Sequence, residues 1–309
     1  MALVSMKEPI LKLSQSQKMR GFVTHNSLGR KVARRFVAGE SLEDAIKATQ
    51  EMNRLGIHVS LDHLGENTSN PEEARQATEA ALASLAAIEA QKLDANVSVK
   101  LTSMGQDIDE KLCLENICRV VHKGGEAGGL FVRLDMESSE YIQRTLDTFR
   151  TLWNDGHHNV GVVLQSYLFR TEQDVADMIK MGARVRLVKG AYLEPATVAY
   201  QDKAEVDRNF VKCMEQLLEK GNYPAIATHD EKIIDHAIAY SKTQHIGKER
   251  FEFQMLYGIR RDLQKKLVGM GYNVRAYVPY GSQWYPYLMR RMAERPANLF
   301  FITSQLWKG

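Results

Sequence analysis

"VGVVLQSYLFRTEQDVADMIKMGARVRLVKGAY", residues 160–192, holds the unit on which the fold turns. A β-branched run at 160–167 gives way to a helical pattern, a glycine at 182 stands where that helix ends, and a second strand-like run fills 183–192. Two strands joined through a helix run parallel, because the chain must be carried back along the sheet before it can pair again. The unit recurs in both directions. Strand candidates precede it at 58–65, 96–103 and 130–136 and follow it at 224–230, 251–256 and 274–281, which makes eight. Segments such as 70–93 and 205–221 lie between them with helix-forming composition and apolar residues at helical spacing. Gly182, Gly221 and Gly271 read as the glycines that end helices before strands.

Eight strands in βα alternation favour closure into a (β/α)8 barrel over an open doubly wound sheet. Residues 17–56 read as two or three helices ahead of the barrel, with Ser41 and Asp44 forming an N-cap. No Pro/Gly/Ser-rich linker divides the chain, so residues 1–309 are expected to form one domain: an N-terminal helical extension over 17–56 and the barrel over 58–309.

The bulk properties agree. A chain of 309 residues, 44% hydrophobic and 26% charged, has the make-up of a soluble globular protein. A net charge of +3 gives no polyelectrolyte basis for nucleic-acid binding. Three cysteines without CxxC spacing read as reduced, buried thiols of a cytoplasmic protein. The first residues have no uninterrupted apolar run of a signal peptide, and nothing approaches the roughly 20 apolar residues that span a bilayer.

"GSQWYPYLMRRMAERPANLFF" (281–301) follows the last strand and reads as the eighth helix of the barrel, opened by Pro286 and closed by Pro296. Tyr287, Arg290, Arg291 and Glu294 fall on one stripe, and Trp284, Leu288 and Met292 on an apolar stripe beside it. Such a helix docks by one side and presents two arginines from the other.

Function in a barrel of this kind sits at the C-terminal ends of the strands. The residues there are Asp62, His63 and Glu66 after strand 1, Lys100 on strand 2, Asp135 on strand 3 and Gln165 on strand 4. Strand 5 brings Arg186, Lys189 and Tyr192, strand 6 Thr228 and His229, and strand 8 Tyr277. A charge inside a barrel strand is costly unless paired or used. Lys100, Arg186, Lys189, Arg290 and Arg291 against Asp135 and Glu294 describe a cleft for a carboxylate or phosphate. The glycine of "VKGAY" allows close approach of a flat or phosphorylated ligand. Three other readings stay open on the residues alone. They are a metal-dependent hydrolase using His63, His229, Asp62 and Asp135, a Schiff-base aldolase using Lys100 or Lys189, and a non-catalytic barrel with structural ion pairs. The density of charge argues against the last.

"DHLGE", "VSVKLTS", "LDME", "QSY", "RLVKGAY", "ATHD", "FEFQMLYG" and "WYPYLMRRMAERPAN", in this order, resemble the proline dehydrogenase family, and within it the bacterial monofunctional form. The resemblance runs from about residue 20 to the C-terminus, with no aldehyde dehydrogenase domain after it. It implies a distorted (β/α)8 barrel that binds FAD, with the last helix over the flavin. The reaction implied is oxidation of L-proline to 1-pyrroline-5-carboxylate by hydride transfer to flavin N5, with electrons passed to a quinone. By the same resemblance, Arg290, Arg291 and Lys100 bind the proline carboxylate. Tyr287, Glu294, Tyr277, Leu256 and Tyr192 line the substrate pocket, and Asp135 orients Lys100. Met136, Gln165, Arg186, Lys189, Gly190, Ala191, Thr228 and His229 meet the cofactor, Arg186 at N5. No metal is implied. A quinone acceptor implies transient contact with the membrane surface, and so a cytoplasmic protein peripheral to its inner face.

Overall fold

The structure is a computed structural model that describes residues 33–294, and side chains as far as 292. Eight parallel strands pair in chain order and close, the first with the last. They are β1 (His58–His63), β2 (Ala95–Val99), β3 (Val132–Leu134), β4 (Val160–Gln165), β5 (Arg184–Val188), β6 (Ala225–Ala227), β7 (Glu252–Leu256) and β8 (Asn273–Tyr280). Helix α1 (Leu42–Arg54) precedes β1. After the successive strands come α2 (Pro71–Gln91), α3 (Glu110–Glu126), α4 (Ile142–Asn154), α5 (Thr171–Met181), α6 (Lys203–Lys220), α7 (Glu231–Thr243), α8 (Arg261–Gly269) and α9 (Trp284–Glu294). The (β/α)8 barrel expected from the alternation is therefore the fold.

Strand alternation divides the side chains. Val59, Leu61, Val97, Val132, Leu134, Val162, Leu164, Val185 and Leu187 join the helices' Leu85, Ile117, Phe149, Met178 and Leu217 in one continuous core. Their neighbours face into the barrel, which is polar inside: Ser60, Ser98, Arg186 and Gln254 are all buried there and bonded to one another. Deeper still, Glu252 grips Arg275 at 2.8 and 3.1 Å.

Seven of the eight observed strands are shorter than their sequence runs, and β8 is as long but begins one residue earlier. Lys100 and Asp135 are each the first residue past their strand, Lys100 leading into a 3-10 turn at Leu101–Met104. Charge thus appears where the ladder ends. Ser41 and Asp44 form a reciprocal capping box at the start of α1; residues 17–32 of the expected helical extension lie outside the described residues.

Gly182 and Gly271 take the left-handed conformation, with φ of 70° and 81°. Gly221 does not: it is extended at φ −77°, and the left-handed residue of that turn is Tyr223 at φ 45°. What excludes a side chain at 221 is the Leu217 carbonyl, 2.5 Å from where a Cβ would lie.

The last helix starts at Trp284, so Pro286 sits inside its first turn rather than opening it; Pro296 lies outside the described residues. Its docking face is wider than one stripe. Trp284, Tyr285, Tyr287, Leu288 and Met289 pack with Ala33, Phe36, Val37 and Leu64 in a second apolar cluster. Backbone bonds from Ala38 to Pro279 and from Gly281 to Gly39, with Trp284 Nε1 donating to Glu40 at 2.9 Å, lash α9 to the segment before α1.

Candidate active site

At the C-terminal mouth of the barrel, under α9, lies a cavity of about 730 Å³. All seventeen site residues named from the sequence line it except Glu294, whose side chain lies outside the described residues. Strand ends supply Lys100, Asp135, Met136, Gln165, Leu256 and Tyr277; the loop after β5 supplies Lys189, Gly190, Ala191 and Tyr192; Thr228 and His229 follow β6.

Asp135 is the junction of its polar wall. Its carboxylate accepts from Arg186 Nη1 at 2.7 Å and from the Tyr277 hydroxyl at 2.7 Å. Lys100 is 3.9 Å away, and its main partner is Asp62, whose two oxygens accept at 2.9 and 3.0 Å. So Lys100 is oriented chiefly by Asp62, while Asp135 orients Arg186 and Tyr277. Arg186 also donates to Gln254 at 2.5 Å and to Ser60 and Ser98 at 3.2 and 3.1 Å. Among the described residues that engages four of its five N–H groups and leaves one on Nη1 for a ligand.

The protonation states follow from these contacts. Burial works to discharge Lys100, but Asp62, Asp135 and Glu66 overrule it and raise its pKa. The Tyr277 hydroxyl is pushed far up by burial and then by Asp135. Burial opposes the charge on Arg290, and Glu66 more than restores it. The wall therefore keeps fixed charges near neutral pH. An ammonium held in this way is no nucleophile, which weighs against a Schiff base on Lys100. Lys189 is gripped likewise, by Asp207 at 2.5 Å and Asp230 at 2.9 Å. Among the described residues no group of three or more His, Cys, Asp or Glu is arranged to hold a metal ion. His229 Nε2 accepts the Leu256 N–H at 3.0 Å.

Acidic residues on the wall go beyond the Asp135 and Glu294 weighed against the cations: Asp62 and Glu66, named after strand 1, line it too, and Asp230 and Glu231 are additions. Glu66 closes on Arg290 with both oxygens, at 2.6 and 2.9 Å, so the loop after β1 meets α9 over the cavity. Arg291 lies with its guanidinium 5.2 Å from the centre of the Tyr287 ring. Gln254 had a readable signal, since it stands two residues before Leu256 on one strand and must share its face. Glu66 was readable as a residue just past strand 1, though its pairing with Arg290 was not; Asp207 had no signal, because a separate helix brings it in.

Does a flavin fit? Gln165 is buried, its amide nitrogen donates to the Glu137 carbonyl at 3.1 Å, and its Oε1 has no partner among the described residues. A buried acceptor left open on a cavity wall suits a ring N–H donor. Gly190 also has a packing role. At φ 115° it faces the Tyr167 ring, which stands 2.5 Å from where a Cβ would be, so its missing side chain makes room for Tyr167.

Fold and wall together define a (β/α)8 barrel with a charged ligand cavity at its C-terminal mouth, and comparison with known proteins makes it an oxidoreductase. A family model described as proline dehydrogenase matches residues 45–304, and the chain belongs to that family. It is 48% identical over 282 residues to the proline dehydrogenase of Deinococcus radiodurans, covering 90% of this chain and 91% of that one. It is 43% identical over 279 residues to proline dehydrogenase 2 of Bacillus subtilis (strain 168), covering 90% and 91%. The crystal structure of proline utilization A from Bdellovibrio bacteriovorus, inactivated by N-propargylglycine, superposes with a TM-score of 0.82 at 30% identity, over 89% of this chain and 34% of that longer one. No helix among the described residues is long and apolar enough to cross a membrane.

Proposed function

We propose that this chain oxidises L-proline to 1-pyrroline-5-carboxylate with FAD and passes the electrons to a quinone. The observation that carries the reading is that one cavity joins a cationic wall of Lys100, Arg290 and Arg291 to an open buried acceptor at Gln165. The substrate carboxylate is bound by the three cations, and Tyr277, Tyr287, Tyr192 and Leu256 surround its ring. Arginine forks suit a carboxylate because two parallel N–H groups match two oxygens. Holding the ring in one orientation supplies much of the acceleration, since it removes the entropy of alignment from the barrier.

Gln165, Met136, Arg186, Lys189, Gly190, Ala191, Thr228 and His229 would hold the cofactor, with the free Nη1 hydrogen of Arg186 as a donor. A bound flavin supplies the two-electron acceptor; the protein supplies position and electrostatics. Asp135 keeps Arg186 aimed, and Asp62 keeps Lys100 charged. A quinone acceptor implies transient contact of a cytoplasmic protein with the inner membrane face.

The purified protein should show a flavin spectrum that bleaches on adding L-proline. A colourless protein that leaves proline unchanged overturns the reading, and a lysine adduct trapped by borohydride would favour the aldolase.

A further inference from the structure

Glu137 stands two residues past Asp135, buried, and the chemistry above does not use it. Both its oxygens go to one residue. Oε2 accepts the Thr102 hydroxyl at 2.8 Å and Oε1 the Thr102 N–H at 3.3 Å, the only hydrogen bonds of its carboxylate among the described residues. Thr102 is fully buried in the turn after Lys100. Its other side holds the loop after β1. The Thr102 carbonyl accepts from the Thr68 N–H at 3.2 Å and the Thr68 hydroxyl at 2.9 Å, and its Oγ1 accepts from the Asn67 N–H at 3.2 Å. Asn67 is held in the left-handed region at φ 53°, a conformation that needs such restraint in a residue other than glycine. The residue before it is Glu66, clamped on Arg290.

We propose that Glu137 is a positioning residue for substrate binding: through Thr102 it fixes the 64–70 loop so that Glu66 holds Arg290 in place over the cavity. The inference rests on the functional reading above. A carboxylate accepts the two Thr102 donors, one on each oxygen; protonation turns one oxygen into a donor and a poor acceptor and so weakens that grip. The ionised form is therefore the holding form.

Burial pushes Glu137 up to about 7, with Glu66 adding to the rise and the Thr102 hydroxyl and Lys100 opposing it. Among the described residues its charge is also felt by Cys113 on α3, Tyr141 before α4 and Tyr192 after β5, and all three are held protonated well above neutrality by burial. Between pH 6 and 8 the strap loosens as pH falls.

The test uses the flavin-loaded protein and tetrahydro-2-furoate, a proline analogue with ring oxygen in place of nitrogen and so no amine to titrate. Its Kd is read by calorimetry. In the wild type the Kd should rise several-fold from pH 8 to pH 6. Glu137→Gln should bind roughly tenfold more weakly at pH 8, the worth of about one hydrogen bond, and lose the pH dependence. Proline KM should rise with it while kcat changes little. Thr102→Val, which keeps the volume and removes the hydroxyl, should copy Glu137→Gln, and Thr102→Ser should restore wild-type binding. Wild-type Kd in both Glu137→Gln and Thr102→Val, or a pH dependence that survives in Glu137→Gln, overturns the inference. A wild type that neither binds the analogue nor oxidises proline overturns the functional reading first, and the inference with it.

Discussion

Glu66 and Arg290 meet oxygen to nitrogen at two points, 2.6 and 2.9 Å apart, and so tie the loop after β1 to the last helix. The bidentate contact uses two of the arginine's five donors, and among the described residues the others have no hydrogen-bond partner and face a substrate carboxylate. An arginine held ready loses less freedom on binding than one that must be ordered first, a difference of about 0.5–1.5 kcal/mol.

Glu66→Gln should therefore raise the KM for proline by roughly 2- to 12-fold, with flavin content unchanged. Steady-state kinetics with an artificial acceptor measure it. A KM at or below the wild-type value would mean that Glu66 competes with substrate for Arg290 instead of presenting it.

Arg186→Met should harm both folding and chemistry. The Asp135–Arg186 pair is buried on both sides, at 5% and 10% side-chain exposure. Removing the cation leaves Asp135 with the Tyr277 hydroxyl and a lysine at 3.9 Å, which costs about 3–5 kcal/mol for a buried pair broken on one side. Flavin reduction at saturating proline should also slow by about a hundredfold or more, since a charge-assisted donor at the reacting centre is lost. Urea unfolding and stopped-flow reduction separate the two losses. A variant as stable as wild type would show that Asp135 is not held by Arg186.

The barrel floor predicts a pH dependence of stability. Burial favours the neutral acid of Glu252, but Arg275, Gln254 and Arg133 outweigh it and bring the pKa down to about 2, from an ordinary 4.5. A depressed folded pKa adds stability that is fully present above about 4.5 and is lost as pH falls toward 2. Its size is on the order of 3 kcal/mol. Glu252→Gln should be less stable than wild type by about that much at pH 6, and the gap should close between pH 4.5 and 2. Urea unfolding across that range checks it; a gap independent of pH would refute the assignment.

The barrel was legible in the sequence because its signal is local and repeated eight times: each strand carries its own β-branched run and each helix its own periodicity. The residues of the wall were legible for a related reason, since βα topology gathers strand ends such as Lys100, Asp135 and Tyr277 whatever the details of packing. The pairings were not. Nothing local says that Lys100 turns to Asp62 and leaves Asp135 to Arg186 and Tyr277; reach and angle across the barrel decide that. The contact of Glu137, the last residue of "LDME", with Thr102 was invisible for the same reason, as the two lie 35 residues apart. Gly221 ends its helix as its position suggested, but the left-handed residue of that turn is Tyr223, a non-glycine that composition does not flag.

Arg291 carries the final prediction. It is half-buried on α9, its guanidinium over the Tyr287 ring at 5.2 Å, and it lines the cavity beside Arg290. The helix docks through Trp284, Tyr285, Leu288 and Met289, so the fold does not depend on this fork. Arg291→Met keeps the apolar stem that covers Tyr287 and removes the planar group that grips a carboxylate. One charge-assisted contact is worth roughly 1.5–3 kcal/mol, which is about 10- to 150-fold in apparent proline affinity. Melting temperature and flavin content should change little, because the lost ring contact is worth about 0.5–1 kcal/mol at a partly exposed site. Titrating flavin bleaching with L-proline on both proteins reads the effect directly. Equal half-saturation would show that Arg291 is a packing residue of the helix and takes no part in holding the substrate.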